Sequence, residues 1–294
     1  MTELLASLRA LPAAGSGPRR TVDVRGVTFG AKRPVVIAGP CAVESYEQTL
    51  AVARAVRDAG ADMLRGGAFK PRTSPYDFQG LGEDGLKILK AAREETGLPV
   101  VTEVMDVRAI DLVCSYADML QIGSRSMQNF PLLREVGRTG LPILFKRGMS
   151  ATLHEWLSAA EYIAVGGNDR IVLCERGIRT IGNGEYDRNT LDLNVIGAVR
   201  ATVGLPIIVD PSHGTGRAQL VPPACLAGIA AGADGLIVEV IDRETERRQV
   251  LCDGAQSIRP DVLARIVKAV RAIREVRSAC ELDWPEDVAG GAGG

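Results

Sequence analysis

Two hydrophobic rhythms alternate along this chain. Short apolar runs of about five residues recur at "VVIAG" (35–39), "MLRGG" (63–67), "PVVTEV" (99–104) and "DMLQIG" (118–123). They continue at "PILFKRG" (142–148), "RIVLCERG" (170–177), "LPIIVDP" (205–211) and "DGLIVEV" (234–240). Runs this short and continuous predict strands buried on both faces, as in a parallel sheet. Between them lie amphipathic stretches. "SYEQTLAVARAVRDAGA" opens on a Ser suited to capping a helix and closes at a Gly. "GLKILKAAREETG", "PLLREVGRTG", "SATLHEWLSAAEYIAVGG", "NTLDLNVIGAVRATVG", "QLVPPACLAGIAAGA" and "DVLARIVKAVRAIREV" follow as helical patterns. Eight strands, each followed by a helix or a short connection, predict a closed (β/α)8 TIM barrel of roughly 250 residues. The rival, an open doubly wound sheet, usually has fewer strands and a Gly-rich first loop, and no GxGxxG follows the first strand. "TVDVRGVTFG" (21–30) alternates with period two and predicts a short N-terminal β-hairpin closing the barrel bottom. Residues 1–20, ending in "AAGSGPRR", read as a flexible arm, 21–284 as hairpin plus catalytic barrel, and 285–294 as a disordered tail.

Composition excludes several classes. With 46% hydrophobic and 24% charged residues the chain is ordinary for a soluble globular protein. The 35 basic and 36 acidic residues leave a net charge of −1, so no global field argues for nucleic acid or a membrane surface. No apolar run reaches the ~18 residues of a membrane span, and the N-terminus lacks the long apolar segment of a secretory signal. Cys41, Cys114, Cys174, Cys225, Cys252 and Cys280 are scattered without a CxxC. They read as free thiols of a cytoplasmic protein.

In a (β/α)8 barrel the chemistry gathers at the C-terminal ends of the strands. In strand order those ends offer Cys41 and Glu44; Arg65, Lys70 and Arg72; Glu103 and Asp106; Gln121 and Arg125. The later strands offer Lys146 and Arg147; Glu175, Arg176 and Arg179; Asp210 and His213; and Glu239, followed by Asp253. Any one Lys or Arg after a strand is usually solvated. Together, in a neutral chain, they would focus positive charge at one mouth, which suits a ligand carrying phosphate and carboxylate groups. Strand eight adjoins strand one in a closed barrel, so Cys41, His213 and Glu239 should converge, with Asp253 on the loop beyond. That mixed S/N/O set suits Mn, Fe, Co, Zn or Cu better than Mg. The plainer alternative is that His213 only orders the "SHGTGR" turn and Glu239 pairs with a nearby Arg. His154, on a helical stretch, is assigned no role.

The motifs "GPCAVES", "FKPRTSPYDFQG", "QIGSRSMQNF", "FKRGMSAT", "CERGIRT", "RNTLDL", "VDPSHGTGR" and "CDGAQS" resemble those of type I 3-deoxy-D-arabino-heptulosonate 7-phosphate (DAHP) synthases. The resemblance spans about residues 22–270 and is to the subfamily similar to octulosonate 8-phosphate synthases. It implies metal-dependent condensation of phosphoenolpyruvate with erythrose 4-phosphate, the first step of the shikimate pathway to aromatic amino acids. "KPR" points to the four-carbon sugar phosphate, since octulosonate enzymes typically carry Ala-Asn before the Arg. By the same resemblance the metal ligands fall on Cys41, His213, Glu239 and Asp253, with manganese first and cobalt, iron or zinc as alternatives. Phosphoenolpyruvate contacts fall on Arg65, Lys70, Arg125, Lys146 and Arg176, and erythrose phosphate contacts on Arg72, Thr73 and Ser74. Glu103 and Lys70 fall near the condensing carbons. Cys41 is then a ligand and not an attacking thiol.

The resemblance also implies a dimer or tetramer and admits a separate regulatory partner such as a chorismate mutase. Only about 30 residues precede the first strand, too few for a built-in regulatory domain. Two departures stand out. Ile241 replaces a His of the family pattern, and the loop from Glu239 to Asp253 is about three residues longer. They motivate a runner-up reading, a relative acting on another sugar phosphate. A non-catalytic barrel that binds a partner is the reading from a different class; the filled ligand positions and intact cation set argue against it.

Overall fold

A computed structural model describes residues 8–72, 74–181, 186, 188–242, 250–280 and 282. Thr73, residues 1–7 of the expected arm, the expected tail and residues 243–249 of the longer loop lie outside the described residues.

The two short strands β1 (Val22–Val24) and β2 (Val27–Phe29) pair antiparallel, with Val22 opposite Phe29. Their turn has positive φ at both Arg25 and Gly26, the backbone of a two-residue hairpin whose twist matches its strands. Eight parallel strands follow: β3 (Val35–Gly39), β4 (Met63–Arg65), β5 (Val100–Glu103), β6 (Met119–Ile122), β7 (Ile143–Lys146), β8 (Ile171–Glu175), β9 (Ile207–Val209) and β10 (Gly235–Glu239). They close into a barrel in chain order, β10 pairing β3 with Gly39 opposite Glu239. The fold is the expected (β/α)8 barrel with an N-terminal hairpin.

The crossovers carry α1 (Tyr46–Asp58), α2 (Glu83–Thr96), α3 (Ile110–Cys114), α4 (Phe130–Val136), α5 (Leu153–Val165), α6 (Asn194–Thr202), α7 (Pro211–Thr215), α8 (Val221–Ala230) and α9 (Pro260–Ala279). Their starts are written in the sequence. Ser45 caps α1 by accepting from Gln48 N at 3.1 Å, and Thr152 with Glu155 forms a reciprocal capping box on α5.

Alternation along the strands divides the core in two. Val36, Leu64, Val100, Leu120, Ile143, Leu173, Ile207 and Leu236 face outward into the layer beneath the helices. Ile37, Met63, Val101, Met119, Leu144, Val172, Ile208 and Ile237 fill the barrel interior, where Val22, Val24 and Phe29 of the hairpin join them. The hairpin therefore plugs the N-terminal end of the barrel.

A repeated device fastens that end. Asp62, Asp118 and Asp234 each stand one residue before a strand, in "ADML", "ADML" and "ADGL". Each accepts the backbone N–H of a neighbouring strand's residue, Val36 at 2.9 Å, Val100 at 2.8 Å and Ile207 at 2.8 Å. Each also binds arginine: Arg33 for Asp62, Arg93 and Arg25 for Asp118, Arg19 and Arg200 for Asp234. Residues 8–20 lie against the same region, with Ala13 bridging Val203 and Glu161 accepting from the N–H groups of Ala10 and Leu11.

Candidate active site

One more step of the same alternation builds the mouth. Two residues beyond the interior apolar positions Met63, Val101, Met119, Leu144, Cys174, Ile208 and Ile237 stand Arg65, Glu103, Gln121, Lys146, Arg176, Asp210 and Glu239. Strand geometry turns all seven toward the barrel axis at its C-terminal end, and all seven are buried. On β3 the equivalent position is Gly39, where a Cβ would lie 2.1 Å from the Arg65 carbonyl oxygen. Strand-end charges on the opposite alternation do not enter the site. Arg147 pairs with Glu175 and Asp192, at 3.1 and 2.8 Å, behind the strands. Asp106 is half-buried and caps the turn before α3; its bonds to Arg108 pull its carboxyl down to about 2. His154 is exposed on α5.

An open cavity of about 220 Å³ lies over this ring, lined by Arg65, Lys70, Arg72, Glu103, Gln121, Arg125, Lys146, Arg176, Arg188, His213, Cys252 and Asp253, among others. At ~30 Å³ per water it holds a small metabolite, not a polymer. The cations outnumber the acids on its walls. Arg65 is buried, yet its Nε and Nη1 make no hydrogen bond, while Nη2 stands 3.2 Å from Glu239 Oε1. Arg176 donates to the Gly177 carbonyl at 3.3 Å. Arg125 sits at the rim, bonded to the Pro71 carbonyl. Arg72 donates to Asp77 and to Cys252 Sγ, at 3.3 and 2.9 Å. Ser74 is not on the cavity wall; its hydroxyl accepts from Tyr76 N.

Beside the cations lies a cluster of metal-binding donors. Asp210 follows β9 and caps α7, so its carboxylate meets the third helical residue, His213. Oδ1 accepts His213 N at 3.0 Å; Oδ2 contacts His213 Nδ1 at 2.7 Å and Lys146 Nζ at 2.5 Å. That carboxylate assigns the proton to Nδ1 and leaves Nε2 as the free donor. Burial lowers the imidazole's affinity for a second proton even against the pull of Asp210 and Glu239, which keeps Nε2 available. Nε2 stands 3.4 Å from Glu239 Oε1 and 3.9 Å from Asp253 Oδ2. Glu239 Oε2 accepts from Gln256 at 2.7 Å, while Oε1 accepts nothing. Cys41 Sγ lies 3.3 Å from Asp253 Oδ2 and receives a hydrogen bond from Lys70 Nζ at 3.0 Å. Burial opposes the Lys70 charge, but the two neighbouring sulfurs more than offset it and push its pKa up.

The donors therefore form two overlapping triads, His213–Glu239–Asp253 and Cys41–Cys252–Asp253, with Asp253 common to both. Their chemistry fits a divalent transition metal: soft sulfur, imidazole nitrogen and carboxylate, with one buried carboxylate oxygen that accepts no hydrogen bond. Asp253 holds this junction with φ of 52°, a left-handed backbone that Asp tolerates better than most residues.

Three participants escape a reading of the sequence for strand ends. Cys252 lies 3.0 Å from Cys41, sulfur to sulfur. Gln256 holds Glu239, and Arg188 holds both Gln256 and Asp253. Their available signal was adjacency: Cys252 and Gln256 flank Asp253 in "LCDGAQS".

Fold and mouth together define a (β/α)8 barrel protein whose open end suits a small, multiply anionic ligand beside a transition-metal-type donor cluster. The chain belongs to the DAHP synthetase I family, whose model matches residues 18–278. It is 45% identical to the phospho-2-dehydro-3-deoxyheptonate aldolase of Thermotoga maritima, over 86% of this chain and 74% of that protein. It is 35% identical to a 2-dehydro-3-deoxyphosphooctonate aldolase of Syntrophotalea carbinolica, over 86% of this chain and 95% of that one. The structure of a truncated DAHP synthase from Thermotoga maritima superposes with a TM-score of 0.83 at 40% identity, covering 93% of this chain and 98% of that one.

Proposed function

We propose that the chain condenses phosphoenolpyruvate with erythrose 4-phosphate and water to DAHP and inorganic phosphate. The observation that carries the proposal is the buried guanidinium of Arg65, two of its nitrogens without hydrogen bonds, lining the cavity with Lys70, Lys146 and Arg176 beside a transition-metal-type donor cluster. Such a set matches a substrate with a carboxylate and a phosphate on adjacent groups. Arg65, Lys146 and Arg176 hold these anions and orient C3 of the enol toward the aldehyde, which contributes by positioning. Arg125, at the rim, joins them on phosphoenolpyruvate, and Arg72 takes the phosphate of the sugar. Cys41, His213, Glu239 and Asp253 hold a divalent metal, manganese first among the candidates, which when bound supplies Lewis-acid polarisation of the aldehyde oxygen.

The balance of the reaction is simple. A C–C bond forms from C3 of the enol to the aldehyde carbon, water adds at C2, and the C2–O bond to phosphate breaks. Glu103, steadied by a hydrogen bond from Gln121 at 3.2 Å, accepts the proton of the attacking water. Lys70, kept protonated by the sulfurs beside it, gives its proton to the oxygen of the former aldehyde, which leaves the new C–C bond next to a hydroxyl.

Consumption of phosphoenolpyruvate, followed by loss of its enol absorbance, tests the reading with erythrose 4-phosphate, arabinose 5-phosphate and ribose 5-phosphate in parallel, with and without chelator. Chelator-sensitive turnover with the four-carbon aldehyde is expected. Equal turnover of all three would sink the specificity read from "KPR" (70–72). Undiminished turnover after exhaustive chelation would sink the metal.

A further inference from the structure

We infer that Arg188 and Gln256 act as positioning residues for the two carboxylates of the donor cluster, Glu239 and Asp253, and leave each a single oxygen to offer a metal. Gln256 is fully buried, on the turn Gly254–Gln256 that follows Asp253. The backbone fixes its place: Ile258, two residues on, donates to the Glu239 carbonyl at 2.9 Å and pairs with Val240. Side chains then set its orientation. An arginine only donates, and an ionised carboxylate only accepts. Arg188 Nη1 bonds the side-chain oxygen of Gln256, so Gln256 Nε2 faces Glu239 and donates to Oε2 at 2.7 Å. Turning the amide over would set donor against donor and acceptor against acceptor. Oε1 of Glu239 accepts no hydrogen bond and stands 3.4 Å from His213 Nε2.

Arg188 acts on Asp253 in the same way. Its Nη2 donates to Oδ1 at 3.3 Å, while Oδ2 faces Cys41 Sγ and His213 Nε2, at 3.3 and 3.9 Å. One arginine thus reaches both carboxylates, one directly and one through an amide. Its seat is prepared: Gly216 follows α7 with φ of 71°, and a Cβ there would lie 2.4 Å from Arg188 Cδ. Asn189, next in the chain, donates to the His213 carbonyl at 3.0 Å. Two consecutive residues of the connection from β8 to α6 therefore brace His213, Glu239 and Asp253 together. A carboxylate with both oxygens available can attach to a metal at one point or at two. With Oε2 of Glu239 and Oδ1 of Asp253 already engaged, each supplies one ligand atom, as do Cys41 and His213. That keeps the ligand count low enough for the open position a catalytic metal needs.

The inference rests on the metal reading above. Cobalt(II) is the probe, because its visible absorbance falls as its ligand count rises. The test titrates the metal-stripped full chain with cobalt and records the spectrum and the binding curve for the wild type, Gln256→Met and Arg188→Lys. Gln256→Met keeps the buried volume and removes the amide, which releases Oε2 of Glu239. Arg188→Lys keeps the charge and loses the fork that spans two partners. Each variant should lose about half or more of the absorbance per bound cobalt and bind it about tenfold or more weakly, while the metal-free melts stay cooperative. Arg188 is exposed, so its variant carries the test if the buried substitution prevents folding. Wild-type spectra in both variants would overturn the inference and leave the metal reading standing. Weaker binding with an unchanged spectrum per bound cobalt would overturn it too, by making the pair merely structural. No cobalt binding by the wild type would instead overturn the metal reading, and this inference with it.

Discussion

Charge is buried at both ends of this barrel, and the two ends complete it differently. At the N-terminal end every carboxylate oxygen of Asp62, Asp118 and Asp234 has a backbone N–H or an arginine. Arg200 there spends its guanidinium on Asp234 and on the Gly232 carbonyl at 2.8 Å; among the described residues of that end, the buried nitrogens left without a partner are Nε of Arg19 and of Arg271, each on a guanidinium otherwise engaged. At the C-terminal end, two nitrogens of Arg65 and one oxygen of Glu239 are buried without hydrogen bonds. An unmade buried hydrogen bond costs roughly 1–3 kcal/mol. A fold that satisfies its charges at one end has the means to do so at the other. The open end is therefore shaped for a ligand, and the closed end for stability.

The largest test of that contrast is Cys41→Ser. It should lower manganese affinity and turnover by about three orders of magnitude, equivalent to ~4 kcal/mol, while the thermal melt stays cooperative and near wild type. Wild-type turnover would remove Cys41 from the site. Asp234→Ala should reverse the pattern. It strands Arg200, whose charge burial already pulls down to about 10, and should cost ~3 kcal/mol or more in a urea titration. The folded fraction should keep kcat/KM within about twofold, and a larger catalytic loss would mean that the two ends are coupled. Lys146→Ala should lower kcat/KM for phosphoenolpyruvate by about 100-fold, ~2.7 kcal/mol. Its stability cost should be smaller, because Asp210 keeps His213. Unchanged kinetics would make Lys146 a structural partner of Asp210.

The same contrast explains what the sequence made legible. The eight apolar runs mark the strands to within a residue or two, because double burial excludes polar side chains from both faces. Their very uniformity hides which face is the interior. "PILFKRG" does not reveal that Lys146 points inward and Arg147 outward; ring closure settles it, and Arg147 then meets Glu175 and Asp192. Cys41, His213, Glu239 and Asp253 were readable because they end strands or match a motif. Cys252 was not, since its meaning is its distance from Cys41 across the join of β10 and β3, which no local spacing encodes. The Asp–Arg fastenings were hidden for the same reason: "ADML" reads as a turn until Arg93, 25 residues away, meets Asp118.

The smallest effect belongs to the plug. Gly26 has φ of 88° in the hairpin turn, and a Cβ there would meet nothing within 4 Å. Gly26→Ala therefore adds no clash, and its cost is the left-handed backbone alone, ~1–2 kcal/mol. Val22, Val24 and Phe29 remain in the interior cluster, which separates the turn from the mouth by the full apolar filling of the barrel. A urea midpoint lowered by that amount, with kcat/KM unchanged, would show the plug acting on stability only. A loss of several kcal/mol would mean that the turn sets the seating of Phe29. A change in kcat/KM at unchanged stability would mean that strain at the closed end reaches Arg65 and Glu239 through the interior layer. The separation of the two ends would then fail at the position where it is expected to hold best.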